Sequence, residues 1–269
     1  MKNSRRTDER RPFDDQDEDR DEPMPRDPDD IQAFELATAL RGLVVLDDDP
    51  YLRMQAINIS IVDKWLMTLE TKVRIARFNE EKDYETEVFL SAITQMWLFA
   101  VYELLRTWRE RAKDIQKWAA NGGISLKIAT LEKDRGFRHL AQEAFTDLLK
   151  RVAADPTVLS SIADDLARTH VLFGHLEFLR VALAKHEISG KAKQLAYAPG
   201  VGRIDSLTGS IAYELSKGRI ILAELKRRDV ADGLRSITSD RTVPRTEDIE
   251  AFEAFMRISP NEDPFGDSL

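Results

Sequence analysis

Apolar residues recur at helical spacing along most of this chain, and turn residues punctuate them at regular intervals. Asp29 and Asp30 precede a run in which Ile31, Phe34, Leu40 and Leu43 keep a three-to-four-residue period, which predicts a first capped helix. Asp47-Asp48-Asp49-Pro50 breaks that run and offers a new helix start, because proline suits the first turn. From Tyr51 to about Phe78 the buried side is marked by Leu52, Ile59, Trp65/Leu66, Leu69 and Val73. A third helix is predicted from Asp83 to about Ala119, roughly 55 Å long at 1.5 Å per residue. Its first half is apolar nearly all round and is expected at the centre of the fold. Asn121-Gly122-Gly123 ends it.

Residues 124–132 read as a connector or short helix, and another helix covers about 133–154. Asp155-Pro156 restarts the chain as N-cap and first-turn proline, and one long helix is predicted from there to about Glu187. Ser189-Gly190 stops it. The pattern then changes. Gly202–Asp205 and Ser210–Leu215 read as the two strands of a hairpin about Ser206–Gly209, and the segment Arg219–Leu225 fits either a third strand or a helix start. A short helix is predicted over Asp229–Ile237. After a polar linker Thr246 caps a last amphipathic helix, on which Ile249, Phe252 and Met256 have groove-anchor spacing. The helix is expected to lie on its own bundle.

The expected fold class is therefore mostly α, a bundle of five or six helices with a small β-hairpin-bearing C-terminal subdomain. The expected division is 1–28 an acidic disordered tail, 29–190 the bundle, 191–237 hairpin and short helix, and 238–269 linker, amphipathic helix and polar tail. Residues 1–30 carry 12 acidic and 7 basic side chains, too polar to offset the entropy of ordering them.

Composition narrows function mainly by exclusion. The formal charge of −8 gives no general attraction to nucleic acid or anionic membranes. The chain has no cysteine, which removes disulfides, thiolate metal sites and a cysteine nucleophile. Val88–Val101 is the most apolar stretch, but its 14 residues fall short of the roughly 20 needed to span a bilayer. No secretory signal is seen at the start, and a cytoplasmic location without membrane contact is expected. No phosphate-loop, serine-hydrolase, zinc-protease or calcium-loop motif occurs. Lys226-Arg227-Arg228, flanked by Glu224, Asp229 and Asp232, reads as a solvated turn. Glu103 is expected to pair with Arg106 or with a basic group on another helix.

Candidate chemistry concentrates on the helix after Pro156. On one continuous helix Arg168, His175 and His186 fall within about 20° of each other, and Asp164 can pair with Arg168 at i, i+4. This line reads either as a structural polar seam or as a site. His170 and His175 stand about 140° apart, so no metal centre or other cofactor is expected. The stretch Arg168–His175 resembles the R-x(4–6)-H motif of HEPN-type helical nucleases, and Arg180–His186 fits it with a less polar residue, Val181, after the arginine. The resemblance covers the helical region 51–187. It implies metal-independent RNA cleavage at a dimer interface, with Arg168 stabilising phosphate charge and His175 moving a proton. The principal expectation is a scaffold, regulator or assembly subunit that binds a protein partner or its own copies. The HEPN-like RNase is the alternative, and nucleic acid enters only with it.

Overall fold

The computed structural model describes residues 25–133, 136, 139–185, 187–188, 191–195, 202–217 and 220–257. All but the last four residues of the expected acidic tail, and His186, lie outside that set. Arg26, inside the expected tail, is held: its guanidinium bonds Glu35 and its carbonyl accepts from Arg228.

Nine helices are described. α1 (Glu35–Arg41) leads into a turn-rich segment and then α2 (Pro50–Phe78), whose N-cap Asp49 accepts from the amides of Tyr51 and Leu52. α3 (Tyr84–Ala120) is capped by Asp83 and runs antiparallel to α2. α4 (Ile124–Leu131), α5 (Leu140–Ala154), α6 (Pro156–Arg168) and α7 (His170–Lys185) complete the bundle, and α8 (Arg227–Ser236) and α9 (Thr246–Arg257) follow the sheet. The fold is mostly helical with a small antiparallel sheet near the C-terminus, as the periodicity predicts.

The interior is one cluster. Trp108, Leu98, Leu104, Leu105 and Val101 of α3 meet Leu40, Leu46, Leu66, Leu149, Ile162 and Leu179 from the surrounding helices. Both indoles in it are satisfied: Trp97 donates to the Ile59 carbonyl at 3.1 Å and Trp108 to the Val44 carbonyl at 2.7 Å. The Val44 amide donates to the buried Asp165 carboxylate at 2.8 Å. Both polar groups of Val44 are thereby fixed beside Val45, a buried β-branched residue at φ 79°.

Three features depart from the sequence reading. The single helix expected over 156–187 is two. Arg109 of α3 donates to the Leu166 carbonyl at 2.9 Å and to the Thr169 hydroxyl at 2.7 Å, and Thr169 separates the two helices. Within the segment that fits either strand or helix, residues 220–225 are strand; the departure here lies before them. β3 (Arg203–Ile204), β4 (Ile211–Lys217) and β5 (Ile220–Lys226) form an antiparallel sheet in that order. A further antiparallel pair, β1 (Glu187–Ile188) and β2 (Lys191–Leu195), stands where the helix end was expected. At the hairpin turn Gly209 sits at φ 78°, so close to α2 that an added Cβ would meet the Glu70 carbonyl at 2.2 Å. Only glycine meets both demands.

The third departure is Lys226-Arg227-Arg228, which is not a solvated turn. Arg227 is fully buried and Arg228 nearly so. Arg227 makes a two-pronged contact with Glu70, at 2.5 and 2.7 Å, and a further one with Asp63. Arg235 also reaches Asp63, and Asp232 accepts from Arg228 and Arg235. The Arg227 guanidinium lies 5.3 Å from the Trp97 ring centre. Burial alone would lower the Arg227 pKa; the carboxylates of Glu70 and Asp63 reverse this and hold it above its ordinary value. Its partners lie more than 150 residues away in sequence, out of reach of local pattern.

Candidate functional site

Two places on the molecule combine side chains in ways that packing alone does not require. The first is the outer side of the α2–α3 hairpin. No charged residue occurs between Arg53 and Asp63 on α2, or between Glu87 and Glu103 on α3. The inward sides of these stretches fill the core. The outward sides carry Met54, Ile61 and Trp65 from α2 and Val88, Phe89 and Met96 from α3, all exposed, with Trp65 45% and Met96 65% accessible. Trp65, expected with Leu66 on the buried side of α2, is thus exposed. The rings of Trp65 and Phe89 meet edge to face at 5.6 Å. That contact and the Trp97–Ile59 bond set the register of the hairpin and bring Ile61 level with Met96.

α3 is long and apolar enough to cross a membrane by length and composition, and 44% of its most apolar window is buried in the fold. Its first half was expected at the centre. Val88, Phe89 and Met96 of that half lie on this face, while Ser91 and Gln95 turn to Tyr213 of the sheet. Glu103 pairs with Arg106 at 2.8 Å, as expected, where the apolar run ends.

The second place is a cleft of about 480 Å³ between α3, α7, β4 and α9. Arg109 and Lys113 come from α3, His170, Phe173 and Glu177 from α7, Lys217 from β4, and Phe252, Glu253 and Arg257 from α9. Arg109 is 5% exposed. It donates to the Leu166 carbonyl and to the Thr169 hydroxyl at 2.7 Å, and it stacks 4.8 Å from the Phe173 ring. Burial pulls its pKa down to about 10. His170 presents Nδ1 to Arg109 at 3.5 Å and Nε2 to Glu253 at 3.3 Å. These partners assign its ring proton to Nε2. Burial, then the adjacent Arg109, lowers its pKa, against the pull of Glu253.

α9 lies on α7, as the anchor spacing of Phe252 and Met256 predicts. The Phe252 ring packs edge to face on His175 at 5.2 Å and on His170 at 6.0 Å. It reaches α7 because residue 174 is glycine: a Cβ there would stand 2.7 Å from the ring. Lys217 donates to the Met256 carbonyl.

The residues singled out from the sequence fall differently. Arg168 lies in neither place. Its guanidinium binds Asp165 and donates to the Ile237 carbonyl at 2.7 Å, tying α6 to the end of α8. Its acidic partner is Asp165 at i−3, not Asp164: Asp165 faces inward and is buried, while Asp164 faces solvent. Burial raises the Asp165 pKa, opposed by the Val44 amide and Arg168. His175 is half-buried under Phe252, and its pKa is lowered by burial. Arg180 lies 5.7 Å from the Tyr102 ring. Arg168 ends α6 and His175 lies on α7, with Thr169 between the two helices. The cleft gathers instead Arg109, Lys113 and Lys217, which sequence spacing does not single out; the only signal for them is a cationic i, i+4 pair on α3.

Comparison with known proteins finds no matching family model, no matching curated protein and no matching solved structure.

Proposed function

We propose that this chain is an assembly protein that associates with a second copy of itself through the outer face of the α2–α3 hairpin. The observation that carries this reading is the uncharged, half-exposed face of six large apolar side chains. Together they leave on the order of 500 Å² of apolar surface bare, at the upper range of what a monomer exposes. Two such faces with their polar rims reach the roughly 1,200–2,000 Å² that stable interfaces bury.

The middle of the face carries no charge, with Arg77, Glu87 and Arg203 only at its Val88 edge, so its occupant must be largely apolar. A second copy meets that requirement. Two hairpins stacked about a two-fold axis form a four-helix arrangement in which each apolar row packs on its symmetry mate without like charges meeting. The net charge of −8 on each copy opposes approach at long range, so association should strengthen as salt screens it.

Light scattering on the eluting full chain tests this. The wild type should have the mass of a dimer, and Trp65→Glu with Met96→Glu should be a folded monomer. A wild-type monomer that floats with neutral lipid vesicles would instead make the face a membrane contact. A monomer that neither floats nor associates at any salt concentration would remove the proposal.

A further inference from the structure

We propose that the seat of α9 on α7 is a helix-docking groove that is filled in trans, by the α9 of a second copy, when two copies meet. The contacts that recognise α9 are concentrated between residues 252 and 256. Phe252 enters the notch left by Gly174 and lies edge to face on His175 and His170. Glu253 reaches His170 Nε2 at 3.3 Å. Lys217 of β4 donates to the carbonyl of Met256. That carbonyl is among the last four of α9, which a helix leaves without an internal partner.

The notch is fitted to this helix. A Cβ at residue 174 would stand 2.7 and 2.9 Å from two atoms of the Phe252 ring, and among the described residues no other side chain comes within 4 Å of it. An α7 that packed only on its own bundle would lose nothing by carrying a larger residue there, and would gain helix propensity. Gly174 therefore serves α9.

The seat does not specify which chain supplies α9. None of residues 246–257 is buried. The connector 239–245 is exposed except at the half-buried Pro244, and each of its described hydrogen bonds has its partner within residues 236–249. Residues 240–245 make no turn, and Pro244 holds Val243 extended. Drawn out, the connector spans roughly 23 Å. A second copy carries the same helix on the same connector, so exchange remakes each contact of the seat without new chemistry. The exchange rests on self-association but not on the α2–α3 face, which contributes none of these residues.

Complementation between two full-chain variants tests this. Gly174→Leu fills the notch, and Phe252→Ala removes the side chain that enters it. In either variant alone, amide exchange over residues 246–257 should be faster than in the wild type. In a concentrated mixture the intact α9 of one copy can meet the intact seat of the other, and the enlarged residue at 174 meets the shortened one at 252. Protection of α9 should therefore return. As a second measurement, the synthetic peptide 246–257 should bind the Phe252→Ala chain roughly tenfold or more tighter than the wild type, whose own α9 competes for the seat. Gly174→Leu should not bind it. If α9 exchanges as fast in the mixture as in the separate variants, exchange between copies is overturned and α9 is a strictly intramolecular strap. Equal peptide affinity in Phe252→Ala and Gly174→Leu would overturn the groove itself. Complementation that persists with Trp65→Glu and Met96→Glu in both copies would uphold this proposal where the outer face fails.

Discussion

α2 has two long sides that differ: the inner one mixes apolar Leu52, Ile59, Leu66 and Val73 with buried polar groups, and the outer one bares large apolar side chains. The inner side buries Ser60, Asp63 and Glu70, while the outer side exposes Met54, Ile61 and Trp65. Each side is explained by its neighbour. Inward, three carboxylates (Asp63, Glu70 and Asp232) meet three arginines of α8, and the charges balance. A buried, balanced network contributes little net stability over an apolar core but fixes which partner fits, here the junction of β5 and α8 on α2. Outward, within the described chain, nothing covers the apolar row. A residue's place on this helix follows from the surface it meets, not from its own hydropathy.

The largest effect should come from breaking the inner side. Arg227→Met leaves Asp63 and Glu70 buried with one partner removed, and should cost about 3–5 kcal/mol. Asp63→Ile should be comparably harmful, although it replaces a charge by an apolar residue at a buried site, because it takes a carboxylate from both Arg227 and Arg235. Urea denaturation measures both. A loss below about 1 kcal/mol for Arg227→Met would show that the network is solvated and that the two sides do not differ as described.

Arg168 tests an intermediate case, a charge that is 16% exposed and paired with a buried carboxylate. Arg168→Ala removes the contact to Asp165 and the bond to the Ile237 carbonyl. The expected loss is about 1–3 kcal/mol, smaller than at Arg227 because solvent reaches the vacated space. The same variant separates structure from catalysis. If the wild type cleaves RNA without metal, and Arg168→Ala abolishes cleavage with stability unchanged, Arg168 acts chemically and its bonds in the fold are incidental.

Local pattern made the helices legible. Asp49-Pro50, Asp83 and Asp155-Pro156 are caps and starts in the structure because capping depends on residues within one turn. The interruption at Thr169 was not legible, and Arg109, which bonds the carbonyl before it, is 57 residues away in sequence. Aligning Arg168 with His175 assumed an unbroken helix, and the two lie on α6 and α7. The buried state of Arg227 was hidden for the same reason. Its local neighbours Glu224, Asp229 and Asp232 suggest solvent, while Asp63 and Glu70 decide its environment from another helix. Phe252 was legible as an anchor, but its seat at Gly174 was not, because α7 glycine 174 gives no sign of what approaches it.

The smallest effect on stability should come from the outer side, two residues from Asp63. Ile61 is exposed, so Ile61→Asp removes little buried surface from the monomer and leaves no buried charge unpaired. It also adds a carboxylate to a helix face with no other charge over two turns, where no like-charged neighbour at i±4 penalises it. Unfolding measured at a concentration where the chain is monomeric should change by no more than about 0.5 kcal/mol. At high concentration the substitution should act differently. Two copies stacked about a two-fold axis would place the new carboxylate and its symmetry mate in an apolar interface, where unpaired charges are expensive. The apparent melting temperature of the wild type should therefore rise with protein concentration, and that of Ile61→Asp should not. A loss of several kcal/mol in dilute Ile61→Asp would mean that the outer row is already covered within one chain, and the contrast between the two sides of α2 would fail.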